Sequence, residues 1–162
     1  MKKIIAVILM SVMVFSSLMV SASAANTADS AIVQFKIHFL TYRNTSARQK
    51  QNSTPVYFYC TKANNTSVRV KTLGSSSAET DSLENLTYSD GTRCSFVKCY
   101  VGTKYSIHNY IHESGYSYAR LSITSKWVDG DVISGYWSPD SAGTYTSPDI
   151  HTTDQASPAP EV

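Results

Sequence analysis

Alternation of apolar and polar residues is the feature that most constrains the fold of this chain. Within the range 31–43, Val33, Phe35, Ile37 and Phe39 alternate with Gln34, Lys36 and His38. A period of two residues indicates a strand with one buried face. The same period recurs over 55–61, 67–73, 93–101, 104–112, 116–124 and 131–137, and no segment has a convincing helical period. We therefore expect an all-β protein.

Turn signals separate these strands. Asn64-Asn65 predicts a tight turn that joins 55–61 and 67–73 into a hairpin, and Ser89–Thr92, Ser114-Gly115 and Asp129-Gly130 are further turn signals. Residues 83–88 fit either a short strand or a helical turn. The pattern predicts a single domain over 31–140, an antiparallel β-sandwich or small barrel of six or seven strands.

The first 24 residues have the pattern of an export signal. Lys2 and Lys3 precede an apolar run from Ile4 to Val20, and Ala22-Ser23-Ala24 matches a cleavage site. The alternative is a membrane anchor, but 17 residues with three serines are short for a span of about 20. We expect cleavage after Ala24 and a secreted protein, released or held non-covalently at the cell surface.

Charge is unevenly distributed along the chain. Residues 31–71 contain seven Lys or Arg and no acid, whereas 127–162 contain six acids and no Lys or Arg. A dipolar molecule follows if the fold keeps the two regions apart; otherwise the charges line solvent-facing strand edges. Residues 141–162 are rich in Ser, Thr, Pro and Asp, which predicts a flexible tail, disordered or laid loosely along the body.

The three cysteines allow one disulfide in an exported chain. Cys94 and Cys99 are five positions apart in a predicted strand and therefore point to opposite faces. Cys60 and Cys99 lie on the more apolar faces of their strands, so we predict a Cys60–Cys99 disulfide with Cys94 free. The alternative is three buried thiols that pack as small apolar side chains.

Tyrosine is the most abundant aromatic residue, with eleven copies beside two tryptophans. Outward tyrosines on a sheet could stack on sugar rings or contact a protein, although strands also favour tyrosine intrinsically. The residues assigned to strands are Tyr57, Tyr59, Tyr110, Tyr116, Tyr118 and Tyr136. We take Tyr57, Tyr59, Tyr118 and Tyr136, together with Lys36, Arg69 and Lys71, as candidate binding residues. Further cations for an anionic polymer are Arg43, Arg48 and Lys50.

Catalytic and metal motifs are weak. His108 and His112 could share a helical face and hold zinc, but on a strand they lie about 13 Å apart, too far for one ion. Cys94 with His108 is a conceivable nucleophile and base, but a strand position does not lower a thiol pKa. We predict no catalytic residue, no metal and no cofactor. A near-zero net charge after cleavage makes nucleic acid an unfavoured partner.

The range 134–141, S-G-Y-W-S-P-D-S, closes the last predicted strand. Alternation places Trp137 in the core and Tyr136 outward. Gly135 indicates a close backbone approach or a bulge. Pro139 has no N–H and ends the strand.

Residues 105–141, including this closing element, resemble small exported proteins of Gram-positive bacteria in a family known as a domain of unknown function. That resemblance implies a signal peptide, a β-rich body and a terminal G-Y-W-S-P-D-S-like element. The chain also resembles lactococcin-like bacteriocins at a few positions, namely Tyr105-Ser106, Asn109-Tyr110, His112, Gly135 and Trp137. It departs from them in its greater length, its cysteines and its acidic tail.

These observations favour a secreted, non-enzymatic protein that binds at the cell envelope or in the medium. The expected partners are an anionic cell-wall polymer, a membrane surface or another protein. A bacteriocin-like antimicrobial protein is the alternative, which growth inhibition of related bacteria would distinguish. A small secreted hydrolase is a weaker alternative.

Overall fold

A computed structural model of the protein describes residues 25–37, 41–125, 130–150 and 157–158. These residues form fourteen strands and no helix. In that part of the chain no helix is long and apolar enough to cross a membrane. The predicted signal peptide, residues 1–24, lies outside the described residues.

The strands form two antiparallel sheets of seven strands each. The first sheet has the order β1 (Ser30–Ile37), β12 (Asp131–Ser138), β4 (Val56–Lys62), β10 (Lys104–Asn109), β7 (Thr87–Ser89), β8 (Thr92–Arg93) and β14 (Ser157–Pro158). The second sheet has the order β13 (Asp149–Ile150), β9 (Val97–Tyr100), β5 (Ser67–Ser75), β11 (Tyr118–Thr124) and β2 (Arg43–Asn44). In addition, β3 (Arg48–Gln49) pairs with β11, and β6 (Glu84–Asn85) pairs with β5.

The predicted all-β sandwich is therefore confirmed. Seven strands have four or more residues, which matches the predicted number, and the other seven have only two or three. Strands of two or three residues are too short to show an alternation of apolar and polar residues in the sequence. Residues 83–88, ambiguous in the sequence, contribute β6 to the second sheet and most of β7 to the first.

One hydrophobic core lies between the sheets. Phe58 and Ile133 of the first sheet share it with Val70 and Leu121 of the second, and all four side chains are fully buried. Ile32 and Ile37 of β1 also point into it, although residues five apart on a regular strand face opposite sides. The irregular register between Ile32 and Phe35 reconciles the two orientations.

The predicted hairpin at Asn64-Asn65 is wrong. Its two strands, β4 and β5, belong to different sheets, so the chain crosses over the edge of the sandwich there. The Asn64 backbone N–H donates to Asp131 Oδ1 (2.8 Å), and the Val101 N–H donates to the Thr66 carbonyl (2.9 Å). Both strands present alternate apolar residues to the same core. This pattern fits two strands in packed sheets as well as two strands of one hairpin.

The segment 93–101 is not one strand as predicted. After a tight turn in which Asp90 and Gly91 both have positive φ, β8 ends at Arg93 and β9 begins at Val97. The Asn85 side-chain amide donates to the carbonyls of Cys94 and Ser95 (3.1 Å each) and so holds the break. The interruption removes the fixed alternation between the two cysteines.

The predicted strand 104–112 ends early, at Asn109. The Asn109 side-chain oxygen accepts the backbone N–H of Ile111 (3.3 Å), which turns the chain away from the sheet. His112 consequently lies in the following turn and not on the strand with His108.

Side-chain alternation in β12 agrees with prediction. Trp137 is 2 % exposed and Tyr136 is 45 % exposed. A Cβ atom at Gly135 would lie 2.2 Å from the Tyr59 carbonyl oxygen, and the register with β4 shifts at the same place. Both the close approach and the irregularity expected of this glycine are present, and the strand ends before Pro139.

A buried ion pair fixes the end of β12. Lys50 Nζ lies 2.7 Å from Asp140 Oδ1, and both side chains are fully buried. The second carboxylate oxygen, Oδ2, accepts the backbone N–H groups of Asn26 (2.8 Å) and Gln51 (3.1 Å). Lys50 also donates to the Thr54 carbonyl. We call this group of five residues the clasp.

The fold interleaves the basic and acidic regions of the sequence. β1, from the basic region, pairs with β12, from the acidic region, and the clasp joins Lys50 to Asp140. In the described residues, the basic and acidic regions therefore do not lie at opposite ends of the molecule.

Part of the predicted tail lies along the body, one of the two placements expected for it. Ser141 is buried, Thr146 bridges to Tyr105, and β13 pairs with β9. Except for Ser157 and Pro158 of β14, the prediction for residues 151–162 falls outside the described residues.

Replacing Trp137 by Ala should lower the free energy of unfolding by about 3–5 kcal/mol, because it empties a large site in the core. Urea unfolding of the purified protein measures this. Tyr136→Ala is the neighbouring control and should change stability by less than about 0.5 kcal/mol. Equal losses in both variants would contradict the assignment of the two faces.

Candidate functional site: a tyrosine face on the first sheet

Aromatic side chains from neighbouring strands meet on the outer face of the first sheet. Register places Tyr136 of β12 directly opposite Tyr59 of β4, and Tyr59 opposite Lys104 of β10. Residues opposite one another share a face and have Cβ atoms about 5 Å apart. Lys104 Nζ lies 5.8 Å from the centre of the Tyr59 ring. Two tyrosines and a cation thus form one row across three strands.

A second pair of tyrosines extends this row along β4. Tyr57 lies two residues from Tyr59 and so points to the same face. The Tyr145 ring covers it at a centroid distance of 4.9 Å, which leaves Tyr57 6 % and Tyr145 37 % exposed. We call Tyr57, Tyr59, Tyr136 and Tyr145 the tyrosine face.

The chain after the clasp places Tyr145 on this face. The Tyr145 backbone N–H donates to Ser106 Oγ (3.0 Å), and the Ser106 N–H donates to the Thr146 carbonyl (3.0 Å). Burial raises the pKa of Tyr57, and the nearby charge of Asp29 raises it further. The Tyr57 hydroxyl is therefore protonated at neutral pH and can donate a hydrogen bond.

The tyrosine face can contact a ligand through ring faces and hydroxyl groups together. Tyr136 and Tyr145 present exposed rings on this side of the sandwich, and Tyr59 is half-buried between its neighbours. Aromatic rings on a flat sheet offer stacking surfaces for a sugar ring, and their hydroxyls offer hydrogen bonds. Lys104 adds a charged donor at one edge.

The structure divides the predicted binding residues between two surfaces. Tyr57, Tyr59 and Tyr136 are brought together on the first sheet. Tyr118, Arg69 and Lys71 lie on strands of the second sheet, and Lys36 lies exposed on β1. Tyr110 and Tyr116 are half-buried against the core; Tyr110 packs on Tyr88, and Tyr116 donates to Glu84 Oε2 (2.7 Å).

Two of the cations expected to meet an anionic polymer serve the clasp region instead. Lys50 is fully buried against Asp140. Arg48 donates to Asn26 Oδ1 (2.9 Å) and to the Trp137 carbonyl (3.3 Å). Their place in the sequence, among other cations in a polar loop, does not distinguish them from exposed residues.

Sequence reasoning did not single out Tyr145 or Lys104 as site residues. Tyr145 lies in a segment without period, so nothing local indicates that it folds back onto β4 and β10. Lys104 is the first residue of its strand and follows the alternation that places it outward. It could have been found from the register with Tyr59, but only once the pairing of β10 with β4 was known.

The three cysteines are free, buried thiols. Cys60 and Cys99 face the core from opposite sheets, as expected, and Cys94 faces it too because the strand is broken. Burial raises the pKa values of Cys60 and Cys94 to about 11 and raises that of Cys99 well above its usual range. Electrostatic interaction with Cys60 contributes less than burial to the increase at Cys99.

The Cys94 thiol has the wrong surroundings for a nucleophile. It donates to the Thr87 carbonyl (3.6 Å), and its raised pKa keeps it neutral, whereas a reactive thiol needs a lowered pKa. His108 and His112 are exposed. Across the described ranges, no group of three or more His, Cys, Asp or Glu side chains could hold a metal ion.

Comparison with known proteins gives a family. A family model described as "Protein of unknown function (DUF2712)" matches residues 20–141, more than half of the chain. The chain belongs to this family. The match to the family ends at Ser141, the residue after Asp140 of the clasp. No curated protein and no solved structure matches the chain.

All three cysteines should resist iodoacetamide at pH 7.5 in the folded, fully reduced protein, because their thiols are buried and protonated. Mass spectrometry after timed labelling measures the modification of each cysteine. Labelling of the urea-unfolded, reduced protein is the control and should reach all three. Rapid labelling of Cys94 in the folded protein would contradict its structural role.

Proposed function

We propose that the chain is an exported, non-enzymatic protein that binds a carbohydrate polymer of the bacterial cell envelope through the tyrosine face. The observation that carries this proposal is the cross-strand register of Tyr136, Tyr59 and Lys104, extended by the Tyr57–Tyr145 pair. Export rests on the signal pattern of residues 1–24 and the cleavage motif at Ala22–Ala24.

A carbohydrate suits this face better than a protein partner. The exposed rings lie on neighbouring positions of one sheet, so a chain of sugar rings can lie across them without a deep pocket. Hydroxyl groups of Tyr59, Tyr136 and Tyr145, together with Lys104, can hydrogen-bond to sugar hydroxyls at the rim. Tyr57 is held beneath Tyr145 and supports it without contacting the ligand broadly.

The neutral, hydrogen-bonded Cys94 thiol and the separation of His112 from the strand of His108 favour binding over hydrolysis. Neither arrangement supplies a nucleophile with an adjacent base, which covalent hydrolysis needs. We therefore propose that the protein holds its ligand through non-covalent contacts of exposed side chains.

For the exported protein we also propose a disulfide between Cys60 and Cys99, which would join the two sheets across the core. Both side chains are buried in the core on strands of opposite sheets, and Cys60 contributes to the raised pKa of Cys99. Labelling of the unreduced protein in urea should then modify Cys94 alone. Modification of all three cysteines, or a peptide linking Cys94 to another cysteine, would overturn the pairing.

The purified protein without residues 1–24 should bind purified Gram-positive cell walls in a sedimentation assay at low salt. Tyr59→Ala and Tyr136→Ala should each weaken binding about tenfold, which corresponds to a loss of about 1.4 kcal/mol. Stacking on neutral sugars is not ionic, so this part of the binding should persist after wall phosphates are removed.

Tyr100→Ala is the matched control, because Tyr100 is 37 % exposed but lies on the second sheet. It should leave binding to phosphate-free walls unchanged. Absence of binding at low salt, or equal losses of binding to phosphate-free walls in Tyr100→Ala and Tyr136→Ala, would refute the proposed function.

A further inference from the structure

The outer face of the second sheet carries a continuous row of cations. Lys98 of β9 is directly opposite Arg69 of β5, and Lys71 follows Arg69 two residues along the same strand. Arg120 of β11 lies diagonally beside Lys71, because Ser122 is the residue opposite Lys71. We call Lys98, Arg69, Lys71 and Arg120 the cation row. It crosses three adjacent strands on the side of the sandwich opposite the tyrosine face.

The pairing of Arg69 with Lys98 is unfavourable for the isolated protein. Like charges directly opposite on one face of a sheet destabilise it. Asp149 of β13, opposite Lys98 on its other side, is the acid in register with this pair and offsets only part of the repulsion. Functional sites often keep an arrangement that lowers the stability of the fold. Repulsion between Arg69 and Lys98 is such an arrangement, and a bound anion would relieve it.

Aromatic rings hold the cations of this row in place. The Arg69 guanidinium lies 4.3 Å from the centre of the buried Phe96 ring, and Lys71 Nζ lies 4.0 Å from that of Tyr42. Lys98 Nζ donates to the Tyr100 hydroxyl (2.9 Å). Stacked cations keep their charge and lose less freedom on binding than freely rotating side chains do.

The guanidinium groups retain unused donors. Among the described residues, the Arg69 guanidinium contacts the Phe96 ring but makes no hydrogen bond and no ion pair. Arg120 donates through Nη2 to the Ala78 carbonyl; its Nε has no partner among the described residues but is buried, so it is not a donor for an external ligand. A guanidinium has five N–H donors whose planar arrangement matches the oxygens of a phosphate.

We propose that the cation row binds a phosphodiester polymer of the cell wall. Phosphate groups complement both the positive charge and the unused guanidinium donors. A linear row fits an extended polyanion. A membrane is less suitable because Phe96 is buried beneath Arg69 and cannot insert into lipid.

The proposal rests on the envelope location given under the proposed function, but not on the tyrosine face. Because the two surfaces lie on opposite sheets, one molecule can hold a glycan on one side and a phosphodiester polymer on the other. Two attachments to the same wall would raise the apparent affinity above that of either surface alone.

The test is sedimentation of the protein with cell walls before and after hydrofluoric acid treatment, which cleaves phosphodiester bonds. Arg69→Gln/Lys98→Gln should reduce binding to untreated walls at least tenfold and leave binding to treated walls unchanged. Raising the salt concentration should weaken the wild type on untreated walls and have little effect on treated walls.

Lys36→Gln/Lys62→Gln is the charge-matched control, since both lysines are exposed on the first sheet. It should retain binding within twofold. Equal loss in the control, or no dependence on wall phosphate, would overturn the proposal. Tighter binding of the wild type to a single-stranded DNA oligonucleotide or to anionic lipid vesicles than to untreated walls would also overturn it. Urea midpoints of both double variants check that each is folded.

Failure of this inference and failure of the proposed function give different results. If only the cation row is wrong, Tyr136→Ala still weakens binding to acid-treated walls while Arg69→Gln/Lys98→Gln behaves as the wild type. If only the tyrosine face is wrong, the protein binds untreated walls through the cation row and does not bind treated ones.

Discussion

The buried ion pair between Lys50 and Asp140 ties the end of β12 to the N-terminal segment and to the loop after β3. Neither side chain reaches solvent, and the carboxylate also accepts two backbone N–H groups. Burial lowers the pKa of Lys50, and the hydrogen bond and charge of Asp140 offset part of this effect. Removing one member of such a pair costs about 3–5 kcal/mol because a charge remains buried without its partner.

The clasp connects stability to the proposed binding surface. It joins the N-terminal segment, the loop after β3 and the end of β12, the strand that presents Tyr136. Trp137, the residue after Tyr136, packs in the core, and Gly135 allows the backbone of β12 to approach β4 closely. The position of Tyr136 beside Tyr59 therefore follows from contacts on the other face and at the end of the same strand.

Local patterns predicted local features well. Alternation placed Trp137 and Tyr136 correctly, and the special role of Gly135 followed from its missing Cβ. Strand pairing was not predictable, because the turn at Asn64-Asn65 suits either a hairpin or a crossover between sheets. The ion pair joins residues 90 positions apart. Such long-range contacts, including the covering of Tyr57 by Tyr145, depend on how the sheets pack and leave no signal in the sequence near either residue.

A double-mutant cycle on the clasp measures how strongly Lys50 and Asp140 stabilise the fold through each other. Urea unfolding would be measured for Lys50→Met, Asp140→Leu and the combination, with the exposed Lys62→Met as a control. We predict a loss of about 3–5 kcal/mol for each single clasp variant, a double variant much more stable than their sum implies, and little change in the control. Single losses below about 1 kcal/mol, or losses that simply add, would show that the ion pair does not hold these segments together.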